Sequence, residues 1–201
     1  MTLSNLDVSR ETLDRLTTFH DLLIKWTPRI NLISKATVPD IWHRHIWDSA
    51  QMYPLAETYE NWVDIGSGGG LPGLVIAILA REFHPDMHLK MIESDVRKAT
   101  FLRTVIRELD LSTDVNVARV EKADPENARV LSARALADLD TLLSFADQHL
   151  HRDGQALFFK GETWEKEVER ARKSWSFQLV PHTSKTNPKA SILEVREIQR
   201  V

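Results

Sequence analysis

Apolar residues recur at helical spacing over residues 9–27, where Leu13, Leu16, Phe19, Leu23 and Trp26 share one face and Ser9 stands as a candidate N-cap. The pattern returns over residues 40–52 with Ile41, Trp42, His45, Ile46 and Ser49. The stretch between them, Asn31-Leu32-Ile33-Ser34, reads as a loop. At Asn61 the texture changes. Trp62-Val63-Asp64-Ile65 reads as a short strand running into a glycine-rich turn over residues 66–73. Pro72 fits the first turn of an apolar helix over residues 74–83. Further strands read at 88–93, 114–120, 128–133 and 154–160, and helices at 95–109, 138–150 and 163–173. Two β-rich stretches, 176–182 and 190–198, follow across a polar loop at 183–189.

Strands alternating with helices predict βαβ units, a parallel sheet and an α/β fold. The last two strands have no helix between them, so a hairpin there makes one strand antiparallel. Residues 1–60 then form a helical N-terminal cap, and 61–201 one Rossmann-like unit. The longest apolar run, residues 74–80, is far short of the ~20 residues that span a bilayer. No membrane association is expected. Met1-Thr2-Leu3-Ser4-Asn5-Leu6-Asp7 shows neither a basic nor an apolar signal region, so the expected compartment is the cytoplasm.

Composition narrows the chemistry. The chain has no cysteine, which excludes disulfides, thiolate zinc sites, iron–sulfur clusters and a cysteine nucleophile. Histidine pairs occur at His43/His45 and His149/His151. Residues two apart do not share a helix face, and no third ligand is evident, so no metal site is expected. Net charge is −3, yet residues 160–201 hold 9 Lys+Arg against 6 Asp+Glu. A nucleic-acid partner would therefore have to be held by a local basic patch.

Five of the seven glycines lie between 66 and 73. Such a run lets backbone N–H groups approach a ligand at the start of a helix. A phosphate-binding P-loop is excluded, because Leu74 follows Gly73 where lysine is needed. The dinucleotide pattern fails from Gly66, with Leu71 at its third glycine, and matches from Gly68 only with Pro72 inside it. The S-adenosylmethionine pattern, an acidic residue followed by GxGxG, matches fully as Asp64-Ile65-Gly66-Ser67-Gly68-Gly69-Gly70. Glu93 closes the next strand, where a carboxylate can accept from both ribose hydroxyls. Arg119-Val120-Glu121 stands at the end of the third strand, a usual place for an adenine contact. The Asp/Asn-Pro-Pro-aromatic box of amine methyltransferases is absent. With no cysteine either, an acceptor atom with a free lone pair is favoured.

Together these features resemble the bacterial 16S ribosomal RNA guanine-N7 methyltransferases, the glucose-inhibited division protein B family. The landmarks are Asn31-Leu32, Arg44-His45 with Asp48-Ser49, the turn Asp64 to Gly70 with Leu71-Pro72-Gly73, Arg97-Lys98 with Phe101-Leu102, Arg119-Val120-Glu121, Arg134-Ala135 and Lys160-Gly161. The family often has proline where Gly69 stands, and an aromatic–Asp pair in the strand that here reads Asn127-Ala128-Arg129-Val130-Leu131. The resemblance implies a class I methyltransferase fold with a helical cap. It implies S-adenosylmethionine as donor and N7 of a guanine in the 530 loop of 16S rRNA as acceptor. Gly66, Leu71, Val120, Glu121 and Arg134 should line the cofactor site beside Asp64, Ser67, Gly68 and Gly70, with Glu93 on the ribose. RNA contacts are expected from Asn31, Arg44, His45, Arg97, Lys160 and Lys185. No residue is expected to act as acid or base, and Arg134 and Lys160 should orient the reactants. The expected partners are 16S rRNA, the small ribosomal subunit or its assembly intermediates, with no obligate protein partner. A small-molecule methyltransferase on the same fold and a dinucleotide-binding protein are the alternatives.

Overall fold

The computed structural model describes residues 2–3 and 6–201. Strands β1 (Thr2–Leu3) and β2 (Leu6–Asp7) pair with each other. The main sheet is built from β3 (Asn61–Ile65), β4 (His88–Ile92), β5 (Thr113–Asn116), β6 (Ala128–Arg134), β7 (Leu150–Lys160), β8 (Trp175–Thr183) and β9 (Ser191–Arg200). Its order is β5-β4-β3-β6-β7-β9-β8. The pairs among β3 to β7 are parallel, and β9 is antiparallel to both β7 and β8. The chain steps outward from β3 to β5, then returns to start β6 on the other side of β3. That reversal opens a crevice beyond the carboxyl ends of β3 and β6.

The faces of β3 follow the period of two. Trp62 joins the core on one side of the sheet, and Val63 and Ile65 join the core on the other. Helix α1 (Arg10–Ile30), α3 (Gly73–Phe83) and α4 (Val96–Leu109) cover the Trp62 side, and α5 (Leu139–His149) and α6 (Trp164–Ala171) the opposite one. Ser9 is the N-cap of α1, its hydroxyl accepting from Thr12 N–H at 3.2 Å. The same hydroxyl donates to Glu82 at the far end of α3, which ties the N-terminal helix to the sheet layer.

Several boundaries differ from the sequence reading for identifiable reasons. Helix α1 runs on through Pro28 to Ile30. The carbonyl that Pro28 leaves without its helical donor belongs to Ile24, an exposed residue. Pro72 precedes α3 as its N-cap rather than opening it. The stretch read as a strand over 114–120 stops at Asn116, because its neighbour β4 ends at Ile92 and there is no ladder to continue. A single 3₁₀ turn, Val120–Lys122, follows.

The helix read over 40–52 is three geometries in series. A 3₁₀ stretch, Lys35–Asp40, leads into a π-helical turn, Trp42–Trp47, and then α2 (Asp48–Ala50). Here Asp48 N–H bonds to the His45 carbonyl. The Arg44 carbonyl in this turn accepts from Arg134 at 2.7 Å. The irregular turn thus carries a backbone contact across the fold.

Candidate active site

The crevice holds two clefts that meet at Ala135, which lines both. The first has a volume of about 300 Å³ and lies among Gly66, Gly68, Glu93, Val120, Glu121 and Leu136. The turn above β3 shapes it. Gly66 and Gly68 have φ of +64° and +54°, a left-handed region that side chains rarely enter. A Cβ on Gly66 would also come within 2.5 Å of the Leu136 side chain. On Gly68 it would point into open space, with the nearest neighbour 3.8 Å away. Space is therefore kept above Gly68 without being filled by the protein.

Glu93 is buried, with 6% exposure. Its Oε2 accepts from Gly68 N–H and its Oε1 from Asp95 N–H, each at 2.7 Å. A carboxylate has roughly four acceptor positions. Glu93 lines the cleft with acceptor positions left over, which suits a pair of adjacent hydroxyls. Val120 and Glu121 are held from behind. His149, fully buried in α5, binds the Val120 carbonyl at 3.0 Å, and Gln148 donates to that of Ala123.

Asp64, Ser67, Gly70 and Leu71 are brought to the same strand end and turn but are buried and do not line the cleft. Asp64 is fully buried, and Oδ1 accepts from the Ser132 hydroxyl at 2.6 Å. That hydroxyl in turn accepts from the Trp62 indole N–H. Burial pushes the Asp64 acid up to about 6, against the pull of Ser132. Its side chain faces the first residue of α3, where a Cβ on Gly73 would stand 2.8 Å from Oδ2.

The second cleft, about 210 Å³, takes Arg44, His45, Arg134, Phe159 and Lys160 together with Thr186 and Asn187 of the loop before β9. Arg134, expected beside the cofactor, lines this cleft and not the first. Its guanidinium pairs with Asp48 at 2.9 Å, donates to the Arg44 carbonyl and lies over the Phe159 ring. Burial lowers its pKa, and Asp48 opposes that pull. Lys160 is turned inward as well. Its ammonium pairs with Glu167 at 2.6 Å and donates to the Ala137 carbonyl at 2.8 Å.

His45 is held neutral, its pKa lowered to about 4 by burial and by the Arg134 charge. The Thr37 hydroxyl gives its proton to the Ser34 carbonyl. His45 Nε2 must therefore be the donor in its 2.7 Å contact with Thr37. Arg44 and Lys185 are exposed near this cleft. Asn31 and Arg97 line neither cleft: Asn31 is the exposed C-cap of α1, and Arg97 pairs with Asp95 at the start of α4. Sequence reasoning gave no role to Asp48, Thr37 or Phe159. Asp48 stood among the quoted landmarks, and its distant partners were the missing signal.

A strand order with a reversal beside the first strand, a glycine turn above it and a carboxylate on the next strand define a class I methyltransferase fold. Solved structures agree. A methyltransferase from Geobacter sulfurreducens superposes with a TM-score of 0.59 at 12% identity, covering 95% of this chain and 92% of that one. A SAM dependent methyltransferase from Aquifex aeolicus gives 0.59 at 12%, covering 80% and 95%. The chain belongs to the GidB family, rRNA small subunit methyltransferase G, which it matches over residues 12–194. Ribosomal RNA small subunit methyltransferase G of a Ruegeria species is 53% identical over 196 residues, covering 98% of this chain and 96% of the relative. The protein of that name from Paramagnetospirillum magneticum is 45% identical over 199 residues, covering 98% and 95%.

Proposed function

We propose that the protein binds S-adenosylmethionine in the first cleft and methylates N7 of a guanine in the 530 loop of 16S rRNA, the guanine entering the second cleft. The supporting observation is the meeting of the two clefts at Ala135, one shaped for a nucleoside and the other with its inward cations, Arg134 and Lys160, each paired with a carboxylate. Glu93 holds the ribose hydroxyls, Val120 and Glu121 border the adenine, and Gly66 and Gly68 leave room for the rest. Asp64, Ser67, Gly70 and Leu71 support the turn from below. The donor supplies a methyl group on a positively charged sulfur.

Guanine N7 has an in-plane lone pair and carries no proton, so attack requires no base. The site has to hold N7 about 3–3.5 Å from the methyl carbon and in line with the breaking bond. It must also tolerate positive charge appearing on the purine. The second cleft meets that need, because Asp48 offsets Arg134, Glu167 offsets Lys160 and His45 is neutral. Arg134 orients through the Phe159 face, and Lys160 braces the Ala137 carbonyl, two residues beyond the Ala135 that both clefts share. Arg44 and Lys185 meet phosphates outside, with Asn31 and Arg97 at the margins. The reaction belongs in the cytoplasm, on 16S rRNA within the small subunit or its assembly intermediates.

The test is methyl transfer to 16S rRNA from cells lacking the enzyme, with the product mapped by cleavage at 7-methylguanine. Methylation of an exocyclic amine or of a free small molecule instead would overturn the assignment.

A further inference from the structure

Beyond the Asp48 oxygen that offsets Arg134, Asp48 and Gln51 form a buried polar pair whose other bonds the chemistry above does not use. Both side chains are buried. Asp48 Oδ1 accepts from Gln51 Nε2 at 2.7 Å, from the Ser184 hydroxyl at 3.0 Å and from the Thr186 hydroxyl. Gln51 Nε2 also donates to Ser184, and its Oε1 accepts from the Lys185 backbone N–H at 2.9 Å. The bonds to Ser184 and Lys185 join positions more than 130 residues apart in the chain. The other Asp48 oxygen holds Arg134, whose neighbour Ala135 lines both clefts.

The segment so held connects β8 to β9 and is far longer than a tight hairpin needs. A polar connection of that length is costly to order unless something fixes it. Here the fixing groups come from the N-terminal cap, while Thr186 and Asn187 form one wall of the second cleft. Lys185 itself is exposed, its backbone pinned and its ammonium without an ion-pair partner among the described residues. A pinned backbone that presents a free ammonium beside a base-sized cleft suits an RNA phosphate next to the inserted base.

We propose that Asp48 and Gln51 are positioning residues for the RNA: they clamp the 184–187 turn so that Lys185 and the cleft wall meet the substrate strand in one register, set relative to the cofactor cleft through Arg134. This rests on the reading of 16S rRNA as substrate. The test uses the full chain, 16S rRNA from cells lacking the enzyme, and S-adenosylhomocysteine binding as a control. Gln51→Ala opens the clamp without touching the Asp48–Arg134 pair. The expected result is a KM for RNA raised about tenfold, the part of the lost hydrogen bonding that reaches the RNA through the turn, with S-adenosylhomocysteine affinity within about twofold of wild type. In a Lys185→Ala background the same substitution should add less than about twofold, because the two act through one contact. Ser184→Ala breaks the clamp from the loop side and serves if Gln51→Ala does not fold. An unchanged KM, or an undiminished effect in the Lys185→Ala background, would overturn the clamp while leaving the methyltransferase reading intact. Failure of the wild-type protein to methylate the RNA would overturn both.

Discussion

At the residue scale, the turn and its carboxylate carry the sharpest expectations. Gly68→Val places a branched side chain in a left-handed backbone and in the space reserved for the ligand. Calorimetry should show no S-adenosylhomocysteine binding by a folded variant. Glu93→Ala should weaken binding by about 1.5–3 kcal/mol, the range for hydrogen bonds to a charged group; unchanged affinity would make Glu93 a brace for Gly68 and Asp95 alone. Asp64 has a signed pH signature. Its folded acid is raised from 3.8 to about 6, so ionisation costs stability as pH rises through that window. Asp64→Asn removes the cost, and its denaturation free energy relative to wild type should rise by about 2–3 kcal/mol between pH 4 and 7. The glycines and Glu93 were legible in the sequence because spacing alone placed them at strand ends. The left-handed Ala135 was not, since no local signal marks a non-glycine in that region.

At the element scale, periodicity located every strand of the main sheet, and it erred where two geometries share one pattern. Ile41, His45, Ile46 and Ser49 suit a regular helix, yet the chain widens there into a π turn. The Arg44 carbonyl in that turn accepts from Arg134, a contact between positions 90 apart that periodicity does not register. Helix α1 gives the clearest test of an element end. Ser9→Ala removes its N-cap and the hydroxyl bond to Glu82. Urea unfolding should show a loss of about 1–2 kcal/mol, and no loss would mean that water replaces both contacts.

At the scale of the whole molecule, the antiparallel position of one strand was legible from the missing helix between the last two strands. The order of the others was not, because parallel pairing is non-local and leaves no spacing signal. Two bulk properties follow from the site as a whole. With His45 neutral above about 4 and no base required, single-turnover methyl transfer at saturating substrates should be nearly flat from about pH 6 to 9. A tenfold rise per pH unit would reveal a required base and sink the N7 assignment. Affinity for RNA should fall with salt, because Arg44 and Lys185 displace counterions, and a salt-insensitive affinity would remove them from the interface.

The placement of β9 also sets an order of events during synthesis. Strand β8 is made first, yet in the main sheet it pairs with β9, which lies between it and β7. Until β9 emerges, β7 presents an unpaired edge and β8 has no neighbour in that sheet. Such edges invite pairing between nascent chains. The wall of the second cleft lies in the connection between these two strands, so it can take shape only when translation has passed β9. The nucleoside cleft, assembled from β3 to β6, can form earlier. A chain stalled before residue 191 should therefore remain competent for the donor and blind to the RNA, and should depend on chaperones until released.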